Sequence, residues 1–586
     1  MNYQLNQDNN LKERVSLNSV WRRFRPFLKG ENKSLVIAFV AILINSGATL
    51  LAPAVIGHTV DTYIKIGDYH GILINCLWLG FIFIAGFGAN YLQIISMGGV
   101  GRRTLFVLRN VIFKKLQELP VSFFNQNKSG DLISRINNDT DKLNQFFSQA
   151  LMQFIGSAFL VTGAGFLLIF FNNRLGLAAL IPALMVLIVT RLLSPWIKRA
   201  NTKSLRSLGN LSAEVQESLS NFKVIVAFNR LDYFRKKFKE VNDKNFSASV
   251  SAGIANSTLI PIYGFAYALA QLIVLVYGIY LIGLGQLTVG LLISFLLYVN
   301  SFYNPLRQLA SIWSSFQLAL ASFDRVSEVL SLESNLNVIE KDAKVASTAV
   351  LEFKEVSFHY EGGREVLNNI NFSLQAGKTY ALVGPTGGGK TTTASLMARL
   401  YDPSSGLIML DGSDIRSYQA SERGQKIGFI LQEPFLFTGT VRDNILYGNE
   451  CYLKHSNKEL ADELTKANLD DLLARFDKGL DTPVASHGET ISLGQKQLIA
   501  FMRAILRKPD ILILDEATAN IDTVTEQLLE AMLKKLPLKT TKVIIAHRLN
   551  TIENADEIFF INAGQITPAG SMQHAVDMLL QGQRSS

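Results

Sequence analysis

At 586 residues the chain is too long for one globular domain, and a positive mean hydropathy with 37 phenylalanines selects a membrane part joined to soluble parts. The net charge of +9 does not indicate a nucleic-acid partner, because the cations are interleaved with apolar spans, as basic loops on one face of a bilayer are. Two distant cysteines, Cys76 and Cys451, support neither a disulfide framework nor a thiolate metal site.

Residues 1–16 read as a polar tail, and the polar, basic first thirty residues contain no cleavable signal peptide. The stretch Val20-Trp-Arg-Arg-Phe-Arg-Pro-Phe-Leu28 mixes large apolar side chains with cations. It is expected to form a short interfacial helix on the cytoplasmic face, with a disordered basic tail as the alternative. Six apolar spans follow near 35–57, 71–98, 150–171, 175–194, 257–283 and 288–310. Each approaches or exceeds the roughly 20 residues that cross about 30 Å of hydrocarbon as a helix. The segments after spans two and four carry many cations, among them Arg102, Arg103, Arg109, Lys198, Arg199 and Arg235-Lys-Lys-Phe-Lys239, whereas the loops near 58–70, 172–174 and 283–288 carry few. The positive-inside rule then places both termini in the cytoplasm, with the chain multi-pass in the cytoplasmic membrane.

Each cation-rich segment is helical in pattern and contains an elbow. The first runs through Leu119-Pro-Val-Ser-Phe-Phe124 and the second through Lys223-Val-Ile-Val-Ala-Phe228. They are too long for idle connections. Span six is expected to continue as a cytoplasmic helix through Arg325, and the polar stretch Glu333–Ser347 marks a boundary. The expected organisation is residues 1–30 as tail and interfacial helix, 31–330 as a six-span all-α membrane domain, 331–348 as linker, and 349–586 as a cytosolic α/β P-loop domain.

Chemistry concentrates in the last of these. Strand-like Thr379–Val383 enters Gly384-Pro385-Thr386-Gly387-Gly388-Gly389-Lys390-Thr391-Thr392, and a helical segment leaves it, the context that makes this spacing a P-loop. Glycines let consecutive backbone N–H groups turn around phosphate, Lys390 supplies charge to the β- and γ-phosphates, and the Thr391 hydroxyl is a candidate Mg²⁺ ligand. Asp515 and Glu516 end the apolar run Ile511–Leu514. Asp515 is placed to hold Mg²⁺, and Glu516 to orient or deprotonate the attacking water. Gln432, just beyond another strand, can reach metal and water, and His547, after Lys542–Ala546, can reach the γ-phosphate. ATP and Mg²⁺ are the expected ligands.

With these motifs in hand the chain resembles an ATP-binding-cassette exporter half, a six-span membrane domain fused to one nucleotide-binding domain, over residues 18 to 575. The resemblance implies that Tyr360 stacks on adenine, that Gln432 is the Q-loop glutamine, that Asp522 lies in the D-loop and that His547 is the switch histidine. It makes the two elbows coupling helices, the second docking on the opposite subunit's cassette. It also makes Ile491-Ser492-Leu493-Gly494-Gln495 the signature presented to the partner's ATP, usually Leu-Ser-Gly-Gly-Gln. Here Leu493 replaces a glycine, and Ser486 and His487 stand where Glu-Arg is usual. Such clustering is what resemblance to heterodimeric exporters implies, with one competent and one degenerate ATP site. The expected function is ATP-driven export of drugs or lipids, with a second half-transporter, membrane lipid and a small amphipathic substrate as partners. A homodimeric exporter and a membrane-tethered regulatory ATPase are the alternatives. Within the spans, Asn45, Asn90, Gln93, Gln153, Asn256, Tyr263, Tyr267, Gln271 and Asn300 either line a pathway for uncharged cargo or join helices.

Overall fold

The computed structural model describes residues 3–5, 30–341, 347–485, 490–516, 523–545 and 553–584, side chains excepted at 310, 311, 313, 314 and 580–584. The interfacial helix expected at 20–28 lies outside them. The chain divides into two compact units, one of Leu5–Gln117 with Ser129–Ser331, the other of Met1–Gln4, Glu118–Lys128 and Leu332–Ser586.

In the first unit the helices are α1 (Asn32–Ile64), α2 (Tyr69–Glu118), α4 (Ser129–Phe171), α5 (Asn173–Ser220), α6 (Phe222–Ala227), α7 (Leu231–Gly283) and α8 (Val289–Ser331), while α3 (Val121–Gln126) falls in the second unit. Six of these helices are long and apolar enough to cross a membrane. At about 1.5 Å per residue, α2, α5 and α7 run roughly 75 Å, more than twice the hydrocarbon thickness. The cation-rich segments are therefore continuations of the spans themselves, and the elbows are where those helices end.

Lipid is as apolar as leucine, so spans associate through small residues and hydrogen bonds rather than through hydrophobic burial. At Gly57 and Gly290 the backbones of α1 and α8 come close enough that a Cβ on either would collide with the other helix. Ser294 Oγ and Tyr298 Oη donate to the Pro53 and Leu50 carbonyls at 2.7 and 2.8 Å, around a proline that takes one amide donor out of α1. The Asp61 carboxylate accepts from the Gly290 N–H at 2.7 Å and from the Thr288 hydroxyl, so that α1 caps α8. Spans three and four form the tight hairpin expected, with the Asn172 side chain accepting from the Leu175 N–H.

Some of the span amides join helices. Asn256 and Asn201 exchange reciprocal carboxamide hydrogen bonds at 3.0 Å between α7 and α5. Below the spans, Arg135 is 1 % exposed and pairs with Asp131 and Glu328 at 2.9 and 2.7 Å, while Arg325 reaches Asp131 and Asp139. A buried charge is tolerated only where it is paired, and these pairs join α4 to the extension of α8.

The second unit has the α/β architecture anticipated. A six-stranded sheet runs in the order β12 (Gln565–Pro568), β11 (Glu557–Asn562), β3 (Thr379–Val383), β10 (Thr541–Ile545), β9 (Ile511–Asp515), β6 (Ile427–Ile430). All pairs are parallel except that of β12 with β11. The central strands are near-continuous runs of Val, Ile and Leu, as strands buried on both faces must be. An antiparallel sheet, β2 (Glu365–Gln375), β1 (Ala349–His359), β4 (Ser405–Leu410) and β5 (Ser413–Asp414), packs against it over a core containing Phe353, Leu382 and Ile513.

The elbow α3 packs into this unit. Phe123 is fully buried, and Asn125 Nδ2 donates to Tyr401 Oη at 2.7 Å. Tyr3 is buried edge-on against Phe123. Its hydroxyl donates to the Glu333 carbonyl and accepts from the Asn335 N–H, and its backbone N–H and carbonyl bond the Gln126 and Asn127 side chains.

Candidate nucleotide site

The P-loop residues lie between β3 and α9 (Lys390–Met397). Two glycines are required by geometry. Gly389 precedes α9 at φ +112°, which side chains rarely adopt, and a Cβ on Gly384 would collide with the Ile561 carbonyl. The loop therefore presents its backbone N–H groups at the start of a helix, an arrangement suited to anions. Lys390 Nζ donates to the Gly384 and Pro385 carbonyls at 2.9 and 3.0 Å. Burial holds its pKa below the ordinary lysine value, against the opposing pull of Glu516 and Asp515.

Residues far apart in sequence meet here because β6, β9 and β10 are neighbours and parallel, so their carboxyl ends share one edge. The Thr391 hydroxyl donates to the Asp515 carboxylate, itself 4 % exposed, at 3.2 Å. Gln432 Nε2 donates to Glu516 Oε2 at 2.6 Å. Glu516 has φ +48°, in the left-handed region. A hydroxyl and a buried carboxylate in contact are hard oxygen donors. They fit Mg²⁺, which takes few protein ligands and completes its shell with phosphate and water. Among the described residues no group of three or more His, Cys, Asp or Glu could hold a metal.

Tyr360 is 38 % exposed, and its hydroxyl is 3.1 Å from that of Thr392. Its ring stands edge-on to those of Phe358 and Tyr401, at 4.9 and 5.4 Å between centroids. Two neighbouring aromatics thus hold the ring in place while it stays partly exposed, as a stacking platform for a purine would need.

Ser492 and Gln495 open α10 (Leu493–Ile505) with a reciprocal capping box, at 3.2 and 3.1 Å. Leu493 is the first helical residue, is 38 % exposed and does not have a positive φ. Leucine is accommodated by the backbone without strain; what it adds to the surface is its branched side chain. His547, Asp522, Ser486 and His487 lie outside the described residues. Pro385, Thr386, Gly387, Gly388, Thr392 and Gly494 lie in the loop or helix where the motifs put them.

Two residues were not legible as part of the site. Tyr401 touches both Tyr360 and Asn125, and Gln497 Nε2, on α10, donates to the Gln432 carbonyl at 3.0 Å, tying α10 to the segment that follows β6. No local pattern marks either, since each is defined by a distant partner.

Residues 35–306 match the family of the ABC transporter transmembrane region, and residues 367–519 match the ABC transporter family. The chain is 33 % identical over 560 residues to the uncharacterized ABC transporter ATP-binding protein YfiC of Bacillus subtilis, covering 94 % of this chain and 91 % of the relative. It is 33 % identical over 470 residues to a fatty acid ABC transporter ATP-binding/permease protein of Mycobacterium bovis, covering 80 % and 74 %. Among solved structures it is similar to a bacterial Atm1-family ABC exporter with ATP bound, at TM-score 0.77 and 25 % identity, covering 94 % of this chain and 95 % of the other.

Proposed function

The chain belongs to the ABC transporter family, and on that premise we propose that it is the catalytic half of a heterodimeric exporter that uses ATP to move lipid-like or drug-like amphiphiles out across the cytoplasmic membrane. The observation that carries this reading is an asymmetry. Lys390, Thr391, Gln432, Asp515 and Glu516 converge at one edge of the sheet, whereas the signature this chain offers in return has Leu493 projecting at the start of α10.

In the mechanism proposed, ATP lies between this chain's P-loop and the partner's signature. Tyr360 stacks on adenine, and Lys390 exchanges its loop carbonyls for phosphate oxygens. Thr391 and Asp515 hold Mg²⁺, which when bound neutralises phosphate charge. Glu516, steadied by the Gln432 amide, orients water for attack and takes its proton, and His547 contacts the γ-phosphate. On the partner's nucleotide, the Ser492 hydroxyl and the helix N-terminus face phosphate, but the Leu493 side chain holds the two surfaces apart. Misplacement of this order costs about 100-fold in rate, so that second site holds ATP rather than turning it over. The two elbows carry cassette closure to the spans.

Co-expression with a second half-transporter tests the reading. Glu516→Gln in this chain should remove nearly all steady-state ATPase of the pair, and the same change at the matching partner position should alter it little. Cooperative ATPase and transport from this chain purified alone would favour the homodimer instead.

A further inference from the structure

Between α1, α2 and α8 the membrane unit has an open, groove-like cavity of about 490 Å³. Its wall is apolar and aromatic, with Phe83 and Phe87 on one side, and three carboxamides, Asn45, Asn90 and Asn300, open into it. Not one lining residue carries a charge. Asn300 lies about 16 Å into α8 at the ~1.5 Å helical rise, which is near the middle of the hydrocarbon.

The three amides differ in how they are satisfied. Asn300 Nδ2 donates to Tyr267 Oη at 3.1 Å, and Asn300 Oδ1 accepts from Asn304 at 2.8 Å, so it is held in a network that also takes in Gln271. The Asn45 and Asn90 carboxamides hydrogen-bond no other described residue. Side-chain amides at membrane depth are costly unless they find a partner, so a bound molecule that supplies one to Asn45 and Asn90 is favoured in this groove. Gly86 lets α2 approach this corner, since a Cβ there would come within 3.2 Å of Ala48. Asn256, by contrast, is taken up by Asn201, so the amides divide into those that join helices and those that face the cavity.

We propose that this cavity binds an uncharged amphiphile whose headgroup is an amide, ester or alcohol, held by the Asn45 and Asn90 carboxamides with its apolar part against Phe83 and Phe87. The inference rests on the export reading above and narrows its cargo. A carboxamide both donates and accepts, so it matches a neutral headgroup of either polarity. A carboxylate or phosphate would have to leave water with no cation to receive it, which is disfavoured at this depth.

The test uses the full chain with its partner in lipid nanodiscs and two photoreactive probes that share one diazirine-bearing acyl chain, an N-acyl ethanolamide and the parent fatty acid. At neutral pH the ethanolamide should label peptides covering residues 45–56 and 82–90 at least about ten-fold more than the acid. Asn45→Leu and Asn90→Leu should each weaken that labelling by about five- to ten-fold. Asn90→Lys should reverse the preference towards the acid, a gain that misfolding does not produce. Equal labelling by the acid, labelling of other spans only, or an unreversed preference in Asn90→Lys overturns the inference. Labelling of the cavity with no ATP-dependent uptake of any amphiphile into inside-out vesicles would sink the export reading and leave the cavity site standing. Uptake with labelling elsewhere would do the opposite.

Discussion

The two elbows are nearly the same object and have opposite surroundings. Each is a six-residue helix at a bend between long helices, rich in Val and Phe. In α3 the central Phe123 is fully buried, with Tyr3 and Tyr401 among its unit's contacts to that elbow. In α6 only Ile225 is buried, while Phe222, Val224 and Val226, with Phe228 just beyond, are between 49 and 75 % exposed. An apolar patch of that kind marks a docking site rather than a finished surface. The difference teaches that α3 is completed by its own chain, whereas the apolar face of α6 is left for the second half-transporter proposed above. A second half of the difference sits on the cassette, where Phe435, Phe437 and Tyr447 line an apolar groove of about 300 Å³. Arg503 and Arg507 share its lining, and under the function proposed above this groove is where the partner's equivalent of α6 would dock.

The sharpest way to break this contrast is to change one apolar side chain in each elbow. Val224→Asp would leave an uncompensated carboxylate in a docked contact, costing about 3 kcal/mol or more, and should lower the association of the two halves by at least about 100-fold. Sedimentation or single-molecule counting would measure it, and undiminished association would mean that α6 faces solvent in the assembly. Phe123→Ala should instead destabilise this chain's own cassette by roughly 3 kcal/mol, a loss read in its thermal unfolding without its partner.

Next in size is a pH effect at the α3-linked nucleotide site. Burial depresses the Lys390 pKa, and the bound polyphosphate favours the charged ammonium, so binding should take up a proton at alkaline pH. ATP affinity should therefore fall as pH rises through that depressed value, below the point where free lysine titrates near 10.4. Without nucleotide the sign reverses: the unfolded chain holds this proton more tightly, so the fold gains stability over the same rise. Calorimetry in buffers of different ionisation enthalpy would detect the uptake, and proton release would contradict it.

Smaller still, Tyr360→Ala should weaken nucleotide binding by about 1 kcal/mol, roughly five-fold, with Phe and Trp tolerated. Asn125→Ala removes one hydrogen bond to Tyr401, worth about 1 kcal/mol or less, and should leave affinity near normal while loosening the response of ATPase to transported substrate. An unchanged response would make the Tyr360–Tyr401–Asn125 chain simple packing.

How much of this was legible beforehand depends on range. The P-loop was, because strand, loop and helix are contiguous and Gly389 and Lys390 have roles set within a few residues. Gln432 and Glu516 were, despite lying 84 positions apart, because both were read at the ends of strands and parallel strands share an edge. The allegiance of the elbows was not, since Phe123 and Val224 sit in similar apolar patterns and only tertiary neighbours tell them apart. Nor were Tyr401 and Gln497, whose roles come from side chains on other elements. The span amides were legible as a group but not individually, as the pairing of Asn256 with Asn201 makes plain.

Glu516 holds one further lesson, in its backbone rather than its carboxylate. At φ +48° an ordinary side chain gives up about 1 kcal/mol relative to glycine or asparagine, which visit that region readily. Glu516→Gly or Glu516→Asn would relieve that strain while giving up the hydrogen bond from Gln432, and on the mechanism proposed above the site would hydrolyse next to nothing. Any selection for a relaxed backbone therefore pulls against turnover at this one position, and a homologue relaxed there should be suspected of having stopped working.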